Sequence, residues 1–137
     1  MKLLTKDIRD RLLKNGRIRA ELSGKFLEPD PDFLPVVKLF TPDANCTWLL
    51  TELDPEDPDI AFGLCDLGMG CPELGYLSIS ELESVRGRLG LPIERDRHFT
   101  ASLTLSVYTR AARTAGALTE NRELLLHAAA AAAGGAS

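Results

Sequence analysis

The sequence predicts an α+β fold: a four- or five-stranded antiparallel meander sheet with helices packed on one face. Four short segments rich in β-branched and aromatic residues follow one another in the middle of the chain, and the connections between them have hairpin length. Parallel strands need crossovers of about a dozen residues or more, so such connections favour antiparallel pairing. Segments with helical periodicity lie on both sides of this central block.

The first helix is predicted over residues 3–16, because its apolar side chains recur at a spacing that places them on one helical face. These side chains are Leu4, Ile8 and Leu12, with Leu13 beside them. The pair Asn15–Gly16 is predicted to end the helix, since Gly is common just beyond a helix C-terminus. Residues 17–34 are polar, and they are predicted to form a loop.

The four central strands are predicted from their β-branched and aromatic content. They are residues 35–40, 47–54, 59–67 and 74–79. The segment "LPIERDRHF", residues 91–99, is predicted as a short edge strand, since its Pro and alternating charges suit an exposed edge. A short helix capped by Ser80 is predicted to follow the fourth strand, and a longer helix is predicted to end at Gly116.

The length of the chain indicates one domain. Residues 1–118 are predicted to form this single α+β domain, and residues 119–137 are predicted to form a C-terminal helical tail. The tail is rich in Ala, which has high helix propensity but little apolar area to bury. We therefore expect the tail to fray.

Charge is distributed unevenly along the chain, although its formal total is only −4. Residues 39–85 carry ten Asp and Glu and no Lys or Arg, whereas the segments on either side each carry a net charge of +3. Nucleic-acid binding requires cations opposite the phosphates, so no direct nucleic-acid binding is expected. The local negative field suits a basic protein partner or a metal ion.

The three cysteines, Cys46, Cys65 and Cys71, have no tight spacing. The first residues lack the apolar stretch of a secretory signal, and no apolar stretch in the sequence approaches the roughly 18 residues of a membrane span. We therefore expect free thiols, a cytoplasmic protein and no membrane contact. Zinc binding by the cysteines and His98 is a weaker alternative, because zinc sites usually contain closely spaced Cys pairs.

The stretch "TELDPEDPDIAFGLCDLGMGCPEL", residues 51–74, contains seven carboxylates. Pro55 and Pro58 restrict the backbone, so the carboxylates around them are predicted to lie on a stiff, exposed tip. The predicted partner-binding residues are Glu52, Asp54, Glu56, Asp57 and Asp59. No catalytic residue, metal or cofactor is predicted with them.

A metal site is the alternative interpretation of the same stretch. Glu52 and Asp54 are two residues apart on a predicted strand and so share one face. Asp66 is expected across the hairpin from one of them, which would bring three carboxylates together on one face of the sheet. Hard cations bind where several such oxygens converge.

The densest basic group follows the acidic region and comprises Arg86, Arg88, Arg95 and Arg97. These arginines are either a binding face or internal counterions of the acidic segment. Counterions are the favoured interpretation, because the chain as a whole is acidic.

Two segments, "TWLLTELDPEDPDIAFGLCDLG" and "PELGYLSISELESVRGRLGLPIERD", carry a family resemblance. They resemble the bacterial family called domain of unknown function 2958, and the similarity extends over residues 1–118. Members of that family are carried on plasmids, integrative elements and prophages. The resemblance therefore implies an accessory protein of a mobile genetic element. It implies no catalytic residues, because none are established in the family.

The functional prediction is a non-enzymatic accessory protein that binds another protein through its acidic surface. A host defence nuclease complex is the expected kind of partner, because clustered carboxylates on a rigid scaffold can occupy a groove that binds DNA phosphates. Two alternatives stay open. One is a small metal-dependent hydrolase that uses clustered carboxylates, and the other is a structural or assembly module of the transfer machinery, which could be a homodimer.

Overall fold

The described part of the chain, residues 3–23 and 30–134 of the computed structural model, contains four helices and five strands. The helices are α1 (Lys6–Leu22), α2 (Ile79–Ser84), α3 (Leu105–Ala115) and α4 (Arg122–Gly134). The strands are β1 (Val37–Phe40), β2 (Thr47–Leu53), β3 (Ile60–Asp66), β4 (Glu73–Ser78) and β5 (Glu94–Arg95). Part of the loop predicted over residues 17–34 lies outside the described residues.

The strands form one antiparallel sheet in the order β4-β3-β2-β1-β5. Because β1 to β4 are neighbours in chain order, the predicted meander and the α+β fold class are confirmed. β5 pairs with β1 through two residues, Glu94 and Arg95, which confirms the short edge strand. β4 forms the opposite edge of the sheet.

Helices cover both faces of the sheet, because β2 in its middle is buried on both sides. Trp48 and Leu50 belong to a core that includes Leu12 of α1 and Leu82 of α2. Side chains alternate between the faces of a strand, so Leu49 points the opposite way, into a second core built with α3 and α4. The prediction that the helices pack on one face is therefore wrong in that detail.

The first helix continues to Leu22, so the predicted stop at Asn15–Gly16 is wrong. Gly16 is buried, and a Cβ built on it would lie 1.9 Å from the carbonyl oxygen of Leu53. The Asn15 side chain donates a hydrogen bond to the Thr51 carbonyl at 2.8 Å. Both residues thus serve the close approach of α1 to the end of β2.

The alanine-rich segment forms α4, which packs on α3. Leu125 and Ala128 of α4 are 3% and 4% exposed, and both belong to the second core. Gly116, with φ of 78°, ends α3 as predicted. Fraying of the tail stays a prediction.

Candidate functional site

The connection from β2 to β3, residues 54–59, is a turn rich in carboxylates, which we call the acidic tip. The Asp54 carboxylate accepts a hydrogen bond from the Glu56 amide at 2.9 Å. The Asp57 carbonyl accepts one from the Ile60 amide, also at 2.9 Å. Two prolines restrict the backbone between these hydrogen bonds, so the tip has a defined conformation.

Three of the five predicted binding residues are exposed on the acidic tip: Asp54, Glu56 and Asp57. None of the three lies at ion-pair distance from a cation within the described residues. The expected exposure is therefore confirmed for these three side chains, and their charges face the solvent.

Glu52 is buried, being only 6% exposed, so its expected place in an exposed patch is wrong. The Nε of Arg19 donates to both of its carboxylate oxygens, at 2.9 and 2.6 Å. The guanidinium also lies 5.8 and 5.7 Å from the ring centroids of Phe33 and Phe62. The hydrogen bond with Glu52 raises the pKa of Arg19. A buried carboxylate is costly without a partner, and Arg19 supplies that partner.

Asp59 is only partly exposed, because it is hydrogen-bonded to the start of α2. One carboxylate oxygen accepts from the hydroxyls of Ser78 and Ser80 at 2.6 and 2.8 Å, and the other accepts from the Ser80 amide at 2.9 Å. The hydrogen bond from Ser78 has the largest effect, and together with those from Ser80 it lowers the pKa of Asp59. Ser78, rather than the predicted Ser80, is the N-cap of α2. Asp59 therefore anchors the acidic tip.

The carboxylates of the alternative metal site are not brought together. Asp66 lies opposite the start of β2, whereas Glu52 lies near its end, so roughly 16 Å of strand separates them. The Asp66 carboxylate accepts hydrogen bonds from the amides of Gly68 and Leu118. The expected position of Asp66 across from Glu52 or Asp54 is wrong. In the described part of the chain, no three His, Cys, Asp or Glu side chains form a group that could hold a metal ion.

All three cysteines are free, as predicted. Cys65 is partly buried, and this burial raises the pKa of its thiol. A raised pKa lowers the thiolate fraction and makes the thiol a poor nucleophile. Cys71 is exposed just before β4.

A groove of about 580 Å³ lies beside β5 and is lined by three of the four predicted arginines: Arg86, Arg95 and Arg97. Among the residues that the structure describes, none of the four forms a direct ion pair with the acidic segment, although Glu83 of that segment lines the same groove. Arg95 donates to the Leu3 carbonyl, and Arg86 donates to two nearby backbone carbonyls. Carboxylates also line the groove, which gives it a mixed charge.

Two exposed apolar side chains on β4 form a feature that the sequence did not indicate. Leu74 is 40% exposed and Tyr76 is 74% exposed. They are two residues apart and so lie on the same face. The Tyr76 ring centroid is 5.0 Å from that of Phe62 on the neighbouring strand. An aromatic residue in a strand usually indicates a core position, so only the strand order reveals the exposure.

A family model described as "Protein of unknown function (DUF2958)" matches residues 3–119. The chain belongs to the DUF2958 family. The match confirms the predicted resemblance and covers all five strands and the first three helices of this DUF2958 protein. No curated protein and no solved structure matches the chain. Within the described residues of the DUF2958 chain, no helix has the length and apolar content needed to cross a membrane.

Proposed function

We propose that this protein is non-enzymatic and acts by binding another protein through its acidic tip. The observation that carries the proposal is the set of three exposed carboxylates, Asp54, Glu56 and Asp57, on a turn fixed by its own hydrogen bonds. A site that is already ordered before binding loses less conformational entropy when the complex forms.

The anchoring of Asp59 supports the same proposal. Its hydrogen bonds to Ser78 and Ser80 tie the tip to the junction of β4 and α2. The tip is therefore fixed at its base, while Glu56 and Asp57 remain exposed beyond it. Exposed charges in a fixed arrangement steer a partner of opposite charge and accelerate association.

The partner surface that fits this tip is basic. A groove that binds DNA phosphates has the required cations, and carboxylates can take the place of phosphates there. We therefore propose an accessory protein of a mobile genetic element whose partner belongs to a host defence nuclease complex. The proposal includes action in the cytoplasm and no direct contact with nucleic acid, and it holds for a monomer and for a homodimer alike.

The test compares two variants with equal net charge. The tip variant combines Glu56→Gln with Asp57→Asn, and the control combines Glu94→Gln with Glu123→Gln. All four side chains are exposed, and both control residues lie outside the tip. Each tagged protein is used to capture partners from a lysate of the natural host, with and without duplex DNA as competitor.

The parent and the control are expected to capture the same partner, and duplex DNA is expected to displace it. The tip variant should associate with the isolated partner roughly ten-fold more slowly at low salt, with a weaker salt dependence, because rim charges act mainly on the association rate. Equal association rates for the tip variant and the parent would show that the acidic tip is only a solvated turn.

A second candidate function is that of an assembly module, and the exposed edge of β4 favours it. Leu74 and Tyr76 expose apolar surface on a strand whose outer side is unpaired among the described residues. Edges of this kind pair with strands of other chains. The metal-dependent hydrolase gains no such support, since Glu52 is held by Arg19 and Asp66 lies at the far end of the hairpin.

A further inference from the structure

A cleft of about 230 Å³ opens at the base of the acidic tip, between the C-terminal half of α1 and the ends of β2 and β3. Its lining includes Asp54 and Pro55 of the tip, Ala20 of α1, and the aromatic rings of Phe62 and Tyr76. Because the tip contributes to the wall of the cleft, a protein bound to the tip would lie directly beside it.

The buried end of the cleft holds a guanidinium group, that of Arg19. The Nε of Arg19 lies 2.6 Å from the buried carboxylate of Glu52, and the guanidinium lies over the ring of Phe62, 5.7 Å from its centroid. A cation within about 6 Å of the face of an aromatic ring is attracted by the ring quadrupole. Arg19 therefore shows how a guanidinium is held here, by one carboxylate and one aromatic ring.

The exposed end of the cleft offers the same two kinds of group without a cation. Asp54 is exposed and, among the described residues, lies at ion-pair distance from no basic side chain. Tyr76 is 74% exposed, so most of its ring is accessible. The charged side chains that line the cleft are one cation, Arg19, and two carboxylates, Glu52 and Asp54, which leaves a net charge of −1. The cleft is complementary to one further positive charge.

A side chain that touches both exposed groups must be long. Asp54 follows the end of β2 and Tyr76 belongs to β4, so their strands are two positions apart and separated by roughly 10 Å. Phe62 of β3 pairs with Tyr76 and lies between them. Arginine and lysine have the necessary length, and both lay their aliphatic stems on apolar surface while the charged end reaches a polar group.

We propose that this cleft receives an arginine side chain of the partner protein, a proposal that rests on the function proposed for the acidic tip. The stem of the arginine lies along the Tyr76 ring, and its guanidinium pairs with the Asp54 carboxylate. Arginine fits better than lysine, because a planar guanidinium stacks on aromatic rings and donates two parallel hydrogen bonds to a carboxylate. Arginine and tyrosine are also enriched among the residues that carry most of the binding energy at interfaces.

The test uses the peptide acetyl-Gly-Arg-Gly-amide as the probe and follows its binding to the isotope-labelled protein by NMR. Matched peptides carry lysine or citrulline in place of arginine, and citrulline has nearly the same shape but no charge. The arginine peptide is expected to shift the backbone signals of Asp54, Phe62 and Tyr76 and to saturate at millimolar concentrations. The lysine peptide should bind about three-fold more weakly, and the citrulline peptide about ten-fold more weakly.

Three substitutions test the cleft itself. Asp54→Asn removes the charge but keeps an oxygen that can accept the hydrogen bond from the Glu56 amide, so the tip should keep its conformation. Tyr76→Ala removes the ring, and Ala20→Leu fills the cleft from α1 without a change of charge; both positions are exposed. Each substitution is expected to weaken the binding of the arginine peptide about ten-fold, because each removes a contact of the bound side chain or its space.

Two control variants match these changes. Glu73→Gln removes the same charge as Asp54→Asn from an exposed position on β4 outside the cleft, and Tyr76→Phe keeps the ring. Both should bind the arginine peptide within about two-fold of the parent, since an isolated surface charge contributes little. Equal affinity for the lysine or citrulline peptide, shifts confined to other surfaces, no binding by the parent, or full binding by Asp54→Asn would overturn the proposal.

The tip variant of the capture experiment separates this proposal from the one on which it rests. Glu56→Gln with Asp57→Asn leaves every residue that lines the cleft unchanged. This variant is expected to bind the arginine peptide within about two-fold of the parent at physiological salt, where distant surface charges are screened, although it captures the partner poorly. A cleft that does not bind the peptide overturns the arginine site and leaves capture by the tip intact. A tip variant that captures the partner as well as the parent overturns the tip, while the peptide still decides the cleft.

Discussion

The substitution Gly16→Ala tests whether the close approach of α1 to β2 is what Gly16 provides. Helix propensity alone predicts that the substitution stabilises the protein, because Ala in a helix interior is about 1 kcal/mol more favourable than Gly. Steric contact predicts the opposite. The new Cβ would lie 1.9 Å from the carbonyl oxygen of Leu53 and 3.2 Å from the Pro55 ring.

The steric effect is expected to be the larger one. The Leu53 carbonyl belongs to the backbone at the end of β2, so it cannot rotate away as a flexible side chain would. The helix must shift instead, and Leu12 on the same helix is fully buried in the first core. Overpacking of this kind costs about 1–3 kcal/mol. Taking the upper part of that range and subtracting the gain in propensity gives a net loss of about 2 kcal/mol.

Thermal unfolding followed by circular dichroism measures this loss. A domain of this size is expected to lose roughly 3–5 °C per kcal/mol, so the melting temperature should fall by about 6–10 °C. Gly75→Ala is the matched control, because no atom lies within 4 Å of its new Cβ, and it should change the melting temperature by no more than a few degrees. A Gly16→Ala variant that melts at or above the temperature of the parent would refute the reasoning.

Trp48 in the core, Asp59 at the base of the acidic tip and the net charge of the chain each give a further prediction. Trp48→Ala should lower the unfolding free energy by about 3–5 kcal/mol in urea followed by circular dichroism, since Trp48 is 6% exposed; unchanged stability would contradict its place in the core. Asp59→Asn should lower the melting temperature at neutral pH. Because the pKa of Asp59 is lowered in the folded state, its carboxylate contributes fully to stability at pH values above the ordinary carboxylate pKa, and this contribution is lost as the pH falls through the folded pKa. The melting temperatures of the parent and of Asp59→Asn should therefore converge in acid. A difference that stays constant with pH would argue against the hydrogen bonds from Ser78 and Ser80. Gel-shift assays at physiological salt should show no binding of duplex DNA, because of the net charge of −4; tight, salt-sensitive binding would identify the arginine-lined groove as a nucleic-acid site.

The sheet could be predicted from sequence because its signals are local. Strand composition and hairpin-length connections identified β1 to β4, and Pro92 with its charged neighbours indicated the edge strand. Helix α1 was misjudged because Asn15 and Gly16 resemble a helix terminus, whereas their role depends on β2, more than thirty residues further along the chain. Local patterns do not report such contacts.

The candidate site was predicted in part for the same reason. The prolines and carboxylates of the tip sit within a few residues of one another, so their exposure followed from local composition. The burial of Glu52 depends on Arg19, and the anchoring of Asp59 depends on Ser78 and Ser80. The exposure of Tyr76 could be predicted only with knowledge of the strand order, which places β4 at the edge of the sheet. Each of these three outcomes was decided by a residue distant in sequence.

Because β2 is buried on both faces, hydrophobic burial does little to specify its register with the neighbouring strands. In a sheet with one wet face, a slip of one residue moves apolar side chains into water and is strongly disfavoured. Trp48, Leu49 and Leu50 would all remain buried after such a slip, so hydrophobicity alone discriminates weakly between the two alignments. The register of β2 must therefore be set by contacts that can form in only one alignment of the strands.

Three contacts of this kind are present along β2. A Cβ on Gly63 would lie 2.0 Å from the Leu49 carbonyl oxygen, so β3 meets β2 there through a residue without a side chain. Glu52 forms an ion pair with Arg19 of α1. The carbonyl of Leu53 sits against Gly16 of the same helix. Two glycines and an ion pair thus fix the register of β2, which its apolar side chains alone would specify only weakly.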